Sequence, residues 1–175
     1  MNNIIFIGGI HGVGKGTICR QISDKFSITH ITASEVLKWD EISNNNNKLV
    51  ENFSFTQNRL INNLKSIVSN EKNYLLDGHY CLLNSEIIPE RIDRETFSIL
   101  NPQAFIIVID DVEKIISRLG KRDNNQYDFG MLSEFQQMEL DYAKELSTEL
   151  GKPLLIVQNG NFDLIINFFK NENIT

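Results

Sequence analysis

A glycine-rich stretch near the start of the sequence has the residue types and the spacing to bind phosphate. Four residues separate Gly9 from Gly14, and Lys15 follows directly. Glycines let backbone amides turn inward around an anion, and a lysine at this spacing adds a charge that reaches the terminal phosphates of a nucleotide. A structural turn with a chance lysine is the alternative. The stretch predicts a nucleoside triphosphate site formed by Gly9, His11, Gly12, Val13, Gly14, Lys15, Gly16 and Thr17.

The residues on either side of this stretch predict the strand and the helix that a phosphate loop requires. Residues 4–7 are all apolar, as in a buried strand, and Ile18, Ile22 and Phe26 recur at helical spacing behind the lysine. The helix adds its N-terminal dipole and its unpaired amide donors to the anion site. This context favours a phosphate-binding loop over a structural turn.

Strands and helices alternate along the rest of the sequence, which predicts an α/β protein with a parallel sheet covered on both faces. The predicted strands cover residues 4–8, 28–32, 73–77, 104–109 and 154–157. The predicted helices cover 15–26, 34–39, a segment from Ser54, 91–100, a segment capped within 110–113 that ends near Gly120, 133–150, and a segment capped by Asn161, with capping boxes at 32–35, 54–57 and 133–136. Two polar segments are predicted as loops: 40–53, which contains four consecutive asparagines, and 121–131.

Asp77 is the carboxylate best placed to join the phosphate loop. It ends the predicted strand 73–77, and ligands of parallel α/β sheets bind at the carboxyl ends of the strands. In phosphate-loop enzymes a carboxylate at this point holds the Mg²⁺ shell, whereas a turn or a helix cap is the structural alternative. We predict Asp77 as a catalytic residue beside Lys15.

Arg118 and Arg122 form a third element with possible chemistry. Four residues apart on a helix, they lie on the same helical face. Phosphoryl transfer needs charge neutralised on the oxygens around phosphorus, and guanidinium groups do this well. We therefore predict both as catalytic residues, with Arg118 also at the nucleotide; a solvated helix face is the alternative.

The run 12–17, the string Leu75-Leu76-Asp77-Gly78 and the arginine pair together resemble the nucleoside monophosphate kinases, above all the archaeal-type adenylate kinases and their bacterial relatives. The resemblance implies one three-layer P-loop kinase domain over 1–175, with sheet order 2-3-1-4-5, a short monophosphate-binding segment at 33–70 and a short lid at 120–132. It also implies transfer of the ATP γ-phosphate to AMP. Gly16 replaces the usual hydroxyl residue after the lysine, and the resemblance implies that Mg²⁺ is held at Thr17 and Asp77 through water.

The acceptor side of the predicted site is less well defined. Candidate acceptor-binding residues are Ser34, Lys38, His79 and Arg91, with Lys48 and Arg59 as further cations. The resembled family has an arginine where this sequence has Lys38, and lysine loses bidentate phosphate recognition. Another small acceptor, such as a deoxynucleotide, a nucleoside or a metabolite, therefore stays open. So does an ATPase switch that acts on a macromolecular partner.

Bulk properties limit the class of protein. The chain has 175 residues, a net charge of −6 and a pI of about 5.1, with no basic run, which disfavours an extended nucleic-acid surface. No apolar run is long enough to span a bilayer, and the first strand starts without a signal peptide. Cys19 and Cys81 match no metal spacing and are expected as reduced thiols. These features predict a cytoplasmic protein with small-molecule partners and leave the oligomeric state open.

Overall fold

The computed structural model describes residues 3–37, 53–84, 86, 88–158 and 160–174. In chain order the elements are β1 (Ile4–Gly8), α1 (Lys15–Phe26), β2 (Thr29–Thr32), α2 (Ala33–Leu37), α3 (Phe53–Ile67), β3 (Tyr74–Asp77), β4 (Cys81–Leu83), β5 (Pro89–Arg91), α4 (Arg94–Leu100), β6 (Ala104–Ile109), α5 (Val112–Asp123), α6 (Phe129–Leu150), β7 (Leu154–Gln158) and α7 (Phe162–Asn171). Among these described helices, none is both long and apolar enough to cross a membrane.

A five-stranded parallel sheet in the order β2-β3-β1-β6-β7 forms the centre of the molecule. This order confirms the predicted 2-3-1-4-5, because β6 and β7 are the fourth and fifth strands of the sheet. Strand β1 is buried along its whole length between β3 and β6, as its uninterrupted apolar run requires. The register pairs Ile7 with Asp77. The loop after β1 therefore leaves the sheet beside the carboxylate that ends β3.

Helices cover the sheet on both faces. Helices α1 and α7 contact each other, and the rings of Phe26 and Phe169 lie 4.6 Å apart between them. Helices α4 and α6 contact each other on the opposite face. The two faces are both covered because the chain runs from β1 to β2 toward one edge of the sheet and from β3 to β6 and β7 toward the other, and right-handed connections place the helices of these two paths on opposite faces. Phe6 makes edge contacts there with Tyr80 and Phe97 at 5.0 and 5.2 Å between ring centroids. The sheet and the helices on its two faces thus position the carboxyl ends of β1 and β3.

The segment around the predicted lid differs from the sequence-based prediction. Helix α5 continues to Asp123 and α6 begins at Phe129, so the predicted loop over 121–131 shrinks to 124–128 and Ser133 lies inside a helix. Asp128 is the true cap, because its side chain accepts a hydrogen bond from the amide of Met131 at 2.7 Å. Asn124 adopts a left-handed conformation that ends α5.

Smaller differences occur at other boundaries. Strands β4 and β5 form an antiparallel hairpin, which the prediction missed, and α4 begins at Arg94 behind the cap Asp93 rather than at residue 91. Helix α3 begins at Phe53, one residue before the predicted cap Ser54. The capping box at Thr32 and Glu35 is confirmed by reciprocal bonds of 3.1 and 3.2 Å. The predicted asparagine-rich loop and the end of the 34–39 helix fall outside the described residues.

Candidate active site

The glycine-rich loop has a backbone that only glycine can adopt at its key positions. Gly9 has φ 139° and Gly12 has φ 80°, both in the region that side-chain-bearing residues avoid. A Cβ at Gly9 would lie 2.5 Å from the carbonyl oxygen of Val108, and one at Gly12 would lie 2.7 Å from Leu119. The loop thus packs directly on β6 and α5, which explains why the sequence has glycine at these positions.

Lys15 is the first residue of α1 and is buried under the loop. Its ammonium donates a hydrogen bond to the carbonyl oxygen of Gly9 at 2.5 Å and lies 3.9 Å from Oδ1 of Asp77. No side chain caps α1, because its N-cap is Gly14 in a left-handed conformation. The first amides of α1 are therefore not capped by a side chain, and with Lys15 they form an electropositive group that can accept an anion such as phosphate.

Asp77 lies between two cationic or polar side chains at the end of β3. Its Oδ1 faces Lys15, and its Oδ2 lies 3.8 Å from Nε2 of His30. Burial raises the pKa of Asp77, and the charges of Lys15 and His30 oppose that rise. Both separations exceed hydrogen-bond distance, so the carboxylate oxygens can accept bonds from water. With the exposed Thr17 hydroxyl, Asp77 supplies hard oxygen donors that fit a water-coordinated Mg²⁺ ion.

Arg118 reaches from α5 back to the loop. One of its terminal nitrogens donates to the carbonyl oxygens of Gly12 and Val13 at 3.2 and 3.4 Å. The other pairs with the buried carboxylate of Asp110, which directs the guanidinium toward the loop. Gln136 exchanges two hydrogen bonds with the backbone of Asp110, at 3.0 and 2.9 Å. Helix α6 therefore holds Asp110 in place, and Asp110 in turn orients Arg118.

Arg122 has a different partner in the structure. Two of its nitrogens donate to the carboxylate of the next residue, Asp123, both at 2.6 Å, and Tyr127 donates to the same carboxylate. These contacts hold the guanidinium at the end of α5, where the short 124–128 connection begins. The two arginines thus have different partners, and a catalytic role for Arg122 stays a prediction.

The predicted acceptor-side residues are dispersed. Ser34 bonds to the hydroxyl of Thr32 at 3.2 Å, beside Asp77 in the sheet register. Arg91 makes a bidentate ion pair with Glu145, at 2.6 and 2.9 Å, and lies over the ring of Tyr142. That pair ties β5 to α6, and an acceptor-binding role for Arg91 stays a prediction. Lys38 and Lys48 lie outside the described residues.

Glu139 is a site residue that sequence reasoning missed. This wholly buried carboxylate on α6 accepts hydrogen bonds from the amides of Tyr80 and Cys81 at 3.1 and 3.2 Å. Its Oε1 also lies 3.3 Å from Nδ1 of His79, whose ring lies 4.5 Å from the ring of His11 in the loop. Burial raises the pKa of Glu139 to about 7, against the opposing charge of Lys15.

A sequence signal for Glu139 did exist. The apolar face of α6 includes Phe135, Tyr142 and Leu146, and Glu139 falls at the helical spacing of this face. A carboxylate on a buried helical face requires a partner, because an unpaired buried charge is strongly disfavoured. That partner is supplied by the segment after β3, which is remote in sequence.

A parallel α/β sheet with a glycine-rich phosphate loop after its central strand defines a P-loop protein. A family model described as an AAA domain matches residues 8–135, which span the loop, Asp77 and Arg118. This match covers more than half of the chain, and the chain therefore belongs to that family.

Individual relatives are more distant. An adenylate kinase of Mycoplasma mobile is 30% identical over a match that covers 53% of this chain and 49% of the relative, so the chain matches about half the length of that protein. A sugar kinase from Janibacter sp. superposes with a TM-score of 0.62 at 12% identity, covering 100% of this chain and 96% of its own. A gluconokinase from Sinorhizobium meliloti gives 0.55 at 10% identity, covering 97% and 94%. At these identities the solved structures show a shared fold.

Proposed function

We propose that this protein is an ATP-dependent phosphotransferase that moves the γ-phosphate of ATP to a small acceptor, with AMP as the first candidate. The observation that carries the proposal is the convergence of Lys15, Asp77 and Arg118 on one glycine-rich loop. A phosphate nest alone serves any nucleotide-binding protein. A lysine, a strand-end carboxylate and an arginine around the same nest supply the charges that phosphoryl transfer requires.

Each side chain then has a distinct task. The loop amides and the start of α1 would hold the donor phosphates. Lys15 would give up its hydrogen bond to the Gly9 carbonyl and donate to a phosphate oxygen instead. Arg118 would neutralise charge on the transferring group, with Asp110 keeping its guanidinium oriented. Asp77 and Thr17 would hold a Mg²⁺ ion through water, and the ion would neutralise charge on the donor phosphates.

AMP as acceptor is supported by the relative from Mycoplasma mobile, which is named an adenylate kinase, and by the motifs shared with that family. Ser34 and His79 lie beside the phosphate crevice and would contact the acceptor, with Lys38 as the candidate cation for its phosphate. An AMP phosphate is already ionised, so its attack on the γ-phosphate needs orientation but no base.

A second acceptor class, a small molecule with a free hydroxyl group, is favoured by the contact between His79 and Glu139. With Glu139 orienting Nδ1, Nε2 of His79 would take the hydroxyl proton as the acceptor oxygen bonds to the γ-phosphorus. The bond from that phosphorus to the ADP oxygen breaks, and ADP keeps the electron pair. The names of the sugar kinase and the gluconokinase with this fold suggest sugars and sugar acids as trial acceptors.

Phosphorus NMR tests the proposal directly. The protein is incubated with Mg·ATP and, one at a time, AMP, other nucleoside and deoxynucleoside monophosphates, nucleosides, hexoses and gluconate. With AMP, transfer converts one ATP and one AMP into two ADP with no free phosphate, whereas any other acceptor gives ADP together with one new phosphorylated product. Either result supports a kinase and identifies its acceptor. ADP with free phosphate, independent of every acceptor, contradicts the kinase proposal and favours an ATPase that acts on a macromolecule.

We expect the two arginines on α5 to differ in importance. Arg118→Ala removes a cation held against the loop and should lower kcat/KM for phosphotransfer by about 10- to 100-fold, since a charge-assisted contact contributes about 1.5–3 kcal/mol. Arg122→Ala, its matched control on the same helix, should have the smaller effect because Arg122 already pairs with Asp123. Steady-state kinetics of both variants show which arginine contributes more to kcat/KM. A larger loss for Arg122→Ala would mean that Arg122, rather than Arg118, is the main arginine at the transferring phosphate.

Glu139 should make the stability of the protein depend on pH. Its pKa is about 7 in the folded protein against 4.5 ordinarily, so the folded state binds the extra proton between these values. The free energy of unfolding should therefore fall as pH rises from 4.5 to 7, by at most about 1.4 kcal/mol per pH unit. Asp77, whose pKa burial also raises, contributes a decline of the same sign, so Glu139→Gln should show a smaller decline than the wild type. Glu134→Gln, an exposed change on the same helix, should retain the full decline. Urea unfolding at about pH 5 and about pH 7.5 measures the change in the free energy of unfolding across most of this range. An equal change in Glu139→Gln and in the wild type would refute the raised pKa of Glu139.

A further inference from the structure

Three side chains with different metal-ligating atoms meet beneath the phosphate loop. They are the thiol of Cys19, the imidazole of His30 and the carboxylate of Asp77, and one ligand atom from each lies within 4.8 Å of the others. Asp77 already has a place in the proposed reaction, whereas Cys19 and His30 have none. The group therefore requires an explanation beyond the phosphotransfer site.

Three separate elements bring these atoms together. Cys19 follows Lys15 by one helical turn, so both lie on the sheet-facing side of α1. Strands β2 and β3 are paired, with Thr32 opposite Asp77, and His30 lies two residues before Thr32 on the same face of the sheet. The packing of α1 on β2 and β3 then closes the group from above.

The contacts within the group leave one ligand atom, Nε2 of His30, without a hydrogen bond, whereas the Cys19 thiol donates to the carboxylate of Asp77. Nε2 of His30 is a buried atom with no hydrogen-bond partner among the described residues, and it lies 3.8 Å from Oδ2 of Asp77. That separation is too long for a hydrogen bond but close to the spacing of two ligands on one cation. Cys19 is wholly buried, so its sulfur is shielded from bulk water.

We propose that Cys19, His30 and Asp77 form a binding site for a thiophilic divalent cation such as Zn²⁺. Zinc accepts sulfur, nitrogen and oxygen ligands at about 2.0–2.3 Å in a tetrahedron, which sets neighbouring ligand atoms about 3.3–3.7 Å apart. The three atoms reach that spacing by shifts of about 1 Å. A water molecule would complete the coordination, because the three side chains supply three of the four ligands of a zinc tetrahedron. The thiol proton passes to solvent when the sulfur binds the cation.

Occupation of this site should inhibit phosphotransfer, and this consequence rests on the proposed function. Asp77 would be shared between the zinc site and the water shell of Mg²⁺ with the donor nucleotide. A cation bound to Asp77 beside Cys19 would also repel the Lys15 ammonium, which lies 3.9 Å from the other carboxylate oxygen. The site is thus a place where a thiophilic metal and Mg·ATP exclude each other.

Cobalt substitution tests the binding itself, independently of any activity. Co²⁺ is titrated into the wild-type protein, and absorption from thiolate-to-cobalt charge transfer is followed in the near ultraviolet. We expect one equivalent to give this band and Zn²⁺ to displace it. Cys19→Ala should abolish the band, whereas Cys81→Ala, which removes the other buried cysteine, should retain it. Absence of the band in the wild type, or its persistence in Cys19→Ala, would overturn the proposal.

A second variant protects the test against misfolding. His30 is partly exposed, and His30→Gln should leave thermal unfolding unchanged while it weakens Co²⁺ binding by about tenfold or more. Unchanged affinity in a folded His30→Gln variant would also overturn the site. In the phosphorus NMR assay, micromolar Zn²⁺ should inhibit the wild type and spare Cys19→Ala. If no acceptor is phosphorylated, the proposed function fails while the cobalt spectra still decide the metal site.

Discussion

Lys15→Ala should lower kcat/KM for phosphotransfer by about 100- to 1,000-fold, the loss found when one preorganised donor to a developing charge is removed. Lys15 is the buried cation at the centre of the loop, with its ammonium between the Gly9 carbonyl and Asp77. Its removal leaves the charge of Asp77 less compensated, so the site repels nucleotide phosphates as well as losing a contact. Steady-state kinetics and nucleotide binding by calorimetry measure the two effects.

Lys25→Ala is the matched control for this prediction. Lys25 is exposed in the last turn of α1, so the variant removes the same charge from the same helix but away from the loop. It should retain wild-type kinetics, which separates a local effect from a change in net charge. A Lys15→Ala variant that keeps full phosphotransfer would exclude the loop as the donor site.

Gly9→Ala should destabilise the folded protein by about 3 kcal/mol and abolish nucleotide binding. The added Cβ would lie 2.5 Å from a main-chain oxygen of β6, at a backbone φ of 139° that alanine rarely adopts. Because the obstacle is backbone of the central sheet, it cannot move aside as a flexible side chain would. Urea unfolding monitored by circular dichroism measures the loss.

Two neighbouring glycines separate the clash from the backbone strain. Gly14 has φ 102°, but a Cβ added there would meet open space, so Gly14→Ala should lose only the strain, about 1–2 kcal/mol. Gly16 is helical and equally open, so Gly16→Ala should leave stability unchanged or raise it by up to about 1 kcal/mol. Equal stabilities for Gly9→Ala and Gly16→Ala would mean that the loop does not pack on β6 as described.

The two acceptor classes place different demands on the same crevice. A monophosphate acceptor needs a cation for its phosphate, for which Lys38 is the candidate, whereas a hydroxyl acceptor needs a base. Glu139→Gln would discriminate between them, because it changes the partner of His79, whereas any effect through the Gly9 amide or Lys15 of the donor loop would reduce both transfers alike. It should reduce transfer to a hydroxyl far more than transfer to AMP. Comparable losses with both acceptors would indicate that Glu139 acts only on loop structure.

Local patterns were sufficient to predict the frame of the site. The strand before Gly9, the helix after Lys15 and the strand ending at Asp77 each depend on short-range apolar patterning and glycine spacing. Parallel pairing then brings the ends of β1 and β3 together. The order of the strands came from resemblance to a family rather than from periodicity, and the sheet confirms it. Boundaries around 121–131 were less predictable, since Asp128 and Ser133 are both good caps locally.

The sequence by itself therefore determined the strands of the main sheet and the glycine-rich loop, and it singled out Lys15, Asp77 and Arg118 as candidate site residues. Only the tertiary structure decided which groups surround them: Asp110 behind Arg118, Glu139 under His79, and Cys19 with His30 beside Asp77. The physical reason is the separation in sequence between the interacting residues. Helix and strand patterns are set by neighbours a few residues apart, whereas a buried charge or ligand acquires its partners when distant segments pack together and exclude water.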